Sequence, residues 1–181
     1  MIPYLIAALS SVTVLHANPL PFECTTPSVK NKAIQCVGQL SPMLTKLNTA
    51  KDLGFYNQNI TKDINDLCAA AVDCFSNLQN CASIDKALVL NMGGVCDLYG
   101  FMNGKFQDCM GRLDDAIQRY SCVRNFFMDP VYTDSKTSKI QCNSLKNDGK
   151  CVKQRVEAYC SKNKAKEFED HLDGQLKRFD C

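Results

Sequence analysis

From Thr26 onward the apolar positions recur three and four apart. Val29, Ala33, Cys36, Val37, Leu40, Leu44 and Leu47 trace one stripe, as expected for an amphipathic helix with one buried face. Thr26-Pro27 supplies the cap and first turn. Ser41-Pro42 predicts a kink or restart, because proline lacks the N–H that the preceding turn needs. A second helix is predicted from Asn59-Ile60-Thr61, with Ile64, Leu67, Cys68, Ala71, Val72, Phe75 and Leu78 on its apolar side. A third follows Cys81, capped by Ser83, through Leu88, Met92, Val95, Tyr99 and Met102. A fourth carries Phe106, Cys109, Met110, Leu113, Ile117 and Tyr120 and ends near Cys122. Asn103-Gly104 is either a turn between these two or a bend within one long helix. Gly93, Gly94, Gly100, Gly104 and Gly111 each cost about 1 kcal/mol relative to alanine inside a helix, so they mark a break or the close approach of another segment.

Between Asn125 and Asn147 the period fails and turn-formers gather: Asp129-Pro130, Thr133-Asp134-Ser135, Thr137-Ser138 and finally Asn147-Asp148-Gly149. This reads as one long irregular stretch. Two helices close the chain. One runs from Lys150 to Cys160 with Val152, Val156 and Tyr159, the other from Ala165 to Phe179 with Phe168, Leu172, Leu176 and Phe179. No strand-like alternation competes, so the expected class is all-α, a compact disulfide-stapled bundle of about five to six helices.

Twelve cysteines sharpen this picture: Cys24, Cys36, Cys68, Cys74, Cys81, Cys96, Cys109, Cys122, Cys142, Cys151, Cys160 and Cys181. All follow an apolar leader that has none. That leader, residues 1–17, reads as a secretory signal peptide cut after Ala17, since its run from Tyr4 to Leu15 is shorter than the roughly 20 residues a membrane span needs. Residues 18–23 then form a short segment ahead of one cysteine-rich domain, residues 24–181. An even, dense cysteine set behind an export signal implies disulfides and an extracellular location.

Helical spacing limits which cysteines can pair. Cys151 and Cys160, nine apart, lie roughly 13 Å from each other along a continuous helix, while a disulfide needs Cα atoms within about 7 Å. The same rule disfavours Cys68 with Cys74 and Cys109 with Cys122. Most of the six expected bridges must therefore join different helices, in a connectivity that spacing leaves open.

With these residues in view, a resemblance can be stated. The order Cys24, Cys36, Leu40-Ser41-Pro42-Met43-Leu44, Cys68-x5-Cys74-x6-Cys81, Cys96, Cys109, Cys122 resembles the nematode family of secreted, cysteine-rich helical proteins catalogued as domain of unknown function nineteen. Cys142, Cys151, Cys160 and Cys181 look like its C-terminal half. The resemblance implies an extracellular, disulfide-bonded helical domain, and brings no activity or binding residue with it.

Charge and chemistry narrow the function. The formal net charge of +2 argues against a nucleic-acid partner, which would show a basic stripe. The lysines between Lys146 and Arg178 alternate with Asp148, Glu157, Glu167, Glu169, Asp170 and Asp173, as on a solvated helix face. Beyond the leader the one histidine is His171, between Asp170 and Leu172, and is expected to be a solvated surface residue rather than part of a Ser-His-Asp or Cys-His site. No H-E-x-x-H, Gly-rich phosphate loop or Cys-x2-Cys pair occurs, so no metal or cofactor is expected. Asp114-Asp115 point about 100° apart on a helix and make no acid/base dyad.

Asn59-Ile60-Thr61 is the one Asn-x-Ser/Thr sequon beyond the leader and is expected to carry a glycan at Asn59. The competing reading makes Thr61 the helix N-cap, with Asn59 buried or skipped.

The expected function is a non-enzymatic, secreted interaction or structural domain, with an extracellular protein or glycan as partner. No membrane span is expected after the leader is removed. The alternative is a carrier that encloses a small apolar ligand between helices lined by Met, Phe and Leu. Cys142-x8-Cys151-x8-Cys160 is similar to the spacing of insect odorant-binding proteins, but the close Cys-x3-Cys pair of that family is missing.

Overall fold

The structure, a computed structural model, describes residues 26–53, 55–76, 78, 86–128 and 138–181. They form seven helices and no strand: α1 Pro27–Leu53, α2 Gln58–Ser76, α3 Lys86–Asn103, α4 Gln107–Arg119, α5 Ser121–Phe127, α6 Ser138–Tyr159 and α7 Lys162–Arg178. The leader, residues 18–23, Cys24, Cys81 and Ser83 lie outside the described residues.

α1 does not restart at Pro42, which sits inside it. Proline deprives the Gly38 carbonyl of its N–H partner, but Gly38, Ser41 and Pro42 are all exposed, so water can take that place. Thr45 Oγ1 donates to the Ser41 carbonyl at 3.1 Å and Thr49 Oγ1 to the Thr45 carbonyl at 2.9 Å. At α2 the cap is Asn57 rather than Thr61. Asn57 Oδ1 accepts from the Ile60 N–H at 3.1 Å, and the Asn57 carbonyl accepts both the N–H and the hydroxyl of Thr61 at 2.9 Å.

Asn103-Gly104 is a turn. The Gly104 N–H donates to the Phe101 carbonyl (3.3 Å) and the Gln107 N–H to the Gly104 carbonyl (3.1 Å). The predicted fourth helix is also two helices, because Tyr120 is extended (φ −118°, ψ 114°) between α4 and α5. On one continuous helix Cys109 and Cys122 would point about 140° apart. The break lets Cys122 reach Cys151 within α6 while Cys109 reaches Cys160 at its end.

The largest departure concerns the stretch read as irregular from Asn125 to Asn147. α5 extends to Phe127 and α6 begins at Ser138, so Asn147-Asp148-Gly149 is helix interior. Ser144 Oγ donates to Asp148 Oδ2 at 3.0 Å, one turn on. Gly149 is there for packing: a Cβ on it would lie 2.5 Å from Leu172 Cδ2 and 3.0 Å from Cδ1 on α7. Gly149→Ala is therefore expected to destabilise by about 1 kcal/mol, the overpacking outweighing the better helix propensity. In a Leu172→Ala background the sign should reverse, and a double-mutant cycle in urea checks this.

One contiguous apolar core draws on all seven helices, from Cys36, Leu40 and Met43 of α1 to Phe168 of α7. Its centre is aromatic. Phe106, Phe126, Phe127 and Phe168 stand with ring centroids 5.1 to 6.4 Å apart, mostly edge-on or tilted, the arrangement that ring quadrupoles favour.

Five disulfides join separate elements: Cys36–Cys74, Cys68–Cys96, Cys109–Cys160, Cys122–Cys151 and Cys142–Cys181, with Cα atoms 5.3 to 6.3 Å apart. The last depends on the end of α7. Asp180 adopts φ 55°, and the Cys181 N–H returns to the Leu176 carbonyl at 2.8 Å, a left-handed cap that folds the tail back toward α6. The first two bridges lie within α1–α3 and the other three within α4–α7 and its tail. Among the described cysteines, no bridge crosses between these two groups.

Candidate functional site

The two cross-linked groups meet along α3 and α7, and His171, the histidine that the sequence singled out, lies there. Gly93, Asp97 and Phe101 recur four apart along one side of α3, with Gly94 next to them, while His171, Gln175 and Arg178 recur four and three apart on α7. Such spacings bring each set onto a single helix face. The absent side chain of Gly93 leaves room for the Arg178 guanidinium. A Cβ on Gly93 would stand 2.7 Å from an Arg178 guanidinium nitrogen, and Gln175 Nε2 donates to the Gly94 carbonyl at 3.3 Å. Arg178 also forms an ion pair with Asp97.

His171 is not the solvated surface residue expected from its acidic neighbour. Its ring lies flat on Phe101, centroids 4.2 Å apart and 8° from parallel, and Phe101 stacks in turn on Phe106 at 4.4 Å. His171 Nε2 is buried, with no hydrogen-bond partner among the described residues. Burial pulls the imidazole down to about 4. Asp97 pulls it the other way and Arg178 reinforces burial. Those two opposite charges are paired with each other, so their effects largely cancel and desolvation decides.

The remaining candidates separate. Asp114 Oδ1 accepts the Tyr56 N–H at 3.1 Å, whereas Asp115 lies 3.6 Å from Arg119 on the solvent side. Among the described residues the two carboxylates share no partner. All ten described cysteines are in disulfides and none is free. The Lys/Glu pattern of the C-terminal helices is a set of exposed or half-exposed pairs: Lys153–Glu169 at 2.5 Å, Lys164–Glu167 at 2.8 Å and Lys166–Asp170 at 2.9 Å. Lys153 and then Lys166 hold the Glu169 carboxyl below its usual range, and Asp170 with Glu169 raises Lys166. Asn59 is exposed in the first turn of α2, while Thr61 of the same sequon is buried.

Sequence reasoning named His171 but missed Phe101, Asp97, Gln175 and Arg178 as its surroundings. A signal was present in the spacing 168, 171, 175 and 178, which continues the buried face marked by Phe168 and so runs along the side of α7 that packs.

A family model described as Domain of unknown function (DUF19) matches residues 24–181. No curated protein and no solved structure matches the chain.

Proposed function

Since the chain belongs to the family Domain of unknown function (DUF19), a classification that names no activity, we propose that it is a secreted, non-enzymatic domain that serves as an extracellular structural or interaction module. The observation that carries this reading is the disulfide framework: every described cysteine joins two separate elements, a construction that persists in oxidising compartments and is rare in reducing ones. No helix among the described residues is long and apolar enough to cross a membrane. His171 lies against a phenyl ring, and among the described residues its buried Nε2 has no hydrogen-bond partner, which supports a non-catalytic role.

The Met and Phe side chains that would line a carrier's cavity favour the module over the carrier. Met43, Met92, Met102, Met110 and Met128 are buried in the core together with the phenylalanine cluster. The groove at the end of α7, formed by Asp173, Leu176, Lys177, Asp180 and Cys181, is open to solvent, unlike a cavity that encloses most of a small ligand's surface.

In this reading Asn59 carries an N-linked glycan, added before α2 folds. The sequon's Thr61 is 3% exposed and its hydroxyl is held by the Asn57 carbonyl, whereas Asn59 faces solvent with room for the finished glycan. Expression of the whole chain with its own leader in a eukaryotic secretory cell tests the reading. The expected product appears in the medium, starts at Asn18, and shifts in mobility on glycosidase treatment, a shift that Asn59→Gln abolishes. Retention in the cytosol with reduced cysteines would overturn secretion, and secretion without the shift would overturn the glycan alone. An extracellular protein or glycan captured by the oxidised domain, and not by the reduced one, is the expected outcome for the interaction role. Saturable uptake of an apolar fluorescent probe would favour the carrier instead.

A further inference from the structure

We propose that the α3–α7 seam is an acid-sensitive clasp: His171, laid flat on Phe101 with its buried Nε2 unpartnered, joins two groups of helices that no described disulfide links, and charging that ring releases α7 from α3 while the five bridges stay closed. This goes beyond the secreted-module reading and does not depend on it.

The topology makes such a release possible. Cys36–Cys74 ties α1 to α2 and Cys68–Cys96 ties α2 to α3. Cys142–Cys181 ties the end of α7 to α6. α3 and α7 thus belong to different cross-linked sets, connected through the chain by the turn at Asn103–Phe106. Among the polar and ring contacts that cross the seam are the Asp97–Arg178 pair, a bond from Gln175 to the Gly94 carbonyl, and the ring stack. Gln175 Oε1, like His171 Nε2, is buried without a hydrogen-bond partner among the described residues. A seam with two unsatisfied polar atoms has little reserve, because each buried unpaired group already carries a desolvation penalty.

Charge has nowhere to go at this ring. The groups that bear on it are Asp97 from α3, which favours the charged form, and Arg178 on α7, which opposes it. They neutralise each other as an ion pair. α6, packed on another flank of α7, brings Gly149 against Leu172 rather than a carboxylate. An imidazolium facing a phenyl ring in a buried site lacks the acceptor its second N–H requires. The folded ring titrates at about 4, below its unfolded value near 6.5. The sign follows: the stabilisation is fully present above about 6.5, falls as pH drops, and is gone below about 4.

Two measurements decide the matter. The His171 ring protons in an NMR titration of the oxidised protein should shift with a midpoint well below 6, and a midpoint at or above about 6.5, the ordinary value, overturns the proposal. In hydrogen exchange corrected for intrinsic rates, peptides from the seam-facing parts of α3 and α7 should lose protection on the order of tenfold between pH 7 and pH 4.5, with α1 and α2 unchanged. His171→Phe, which keeps the stack and cannot charge, should abolish that loss. An equal loss in wild type and variant overturns the clasp. If the variant does not fold, the titration still decides.

Discussion

Phe168→Ala is expected to lower the stability of the oxidised domain by about 3 to 5 kcal/mol, the range for emptying a fully packed aromatic site. Phe168 has no exposed surface and touches the phenylalanine cluster from α7. Its ring centroid is 5.1 Å from Phe126, 6.1 Å from Phe127 and 6.4 Å from Phe106. Those partners come from α5 and from the α3–α4 turn, so the cavity opens where three elements meet. The neighbours cannot close it by a simple shift, because α5 and α7 are each tied to α6 or its neighbours through Cys122–Cys151 and Cys142–Cys181. A domain of this size is stable by only about 5 to 15 kcal/mol, so the change should be plain in urea unfolding as a lower midpoint with unchanged slope. A loss under about 1 kcal/mol, the scale of a surface substitution, would contradict the central place given to this ring.

The second large effect concerns Cys109–Cys160. Replacing both cysteines with alanine should cost about 4 kcal/mol, because the bridge closes a loop of 51 residues and the chain-entropy cost of closure grows with the logarithm of that length. The native geometry adds a local reason. Cys160 lies just beyond α6, immediately before Ser161 caps α7 by accepting the Lys164 N–H at 3.1 Å. Losing the bridge frees the corner from which α7 starts, and with it the placement of Phe168 and His171. Chemical denaturation of the double variant, with the other bridges intact, checks the figure. Stability within about 1 kcal/mol of wild type would mean that the unfolded state is already constrained in other ways.

These expectations rest on features that differ in how visibly they are written in the chain. The helical stripes are local, and α1 to α4 and α7 lie where the three-and-four spacing places them. The family match over residues 24–181 likewise agrees with the resemblance carried by the cysteine order. Pairing limits also follow from local geometry. A helix keeps Cys151 and Cys160 apart, and each bonds elsewhere, to Cys122 and Cys109.

What was not legible depends on non-local partners. Gly149 after Asn147-Asp148 carries every mark of a turn, and only the presence of Leu172 against it makes it a packing glycine. Tyr120 continues the apolar stripe of α4, yet adopts an extended conformation and receives the Arg155 guanidinium over its ring at 4.0 Å, a contact between residues 35 positions apart in the chain. His171 sits beside Asp170 and so reads as solvated, while its true neighbour is Phe101, on a different helix.

The described cysteines are staples between separate elements, in two sets that no bridge joins. Peptide mapping of the unreduced protein by mass spectrometry tests it directly. The predicted result is five linked pairs, Cys36 with Cys74, Cys68 with Cys96, Cys109 with Cys160, Cys122 with Cys151 and Cys142 with Cys181. A free thiol at any of these ten positions, or a bridge joining a cysteine of α1–α3 to one of α4–α7, would contradict it.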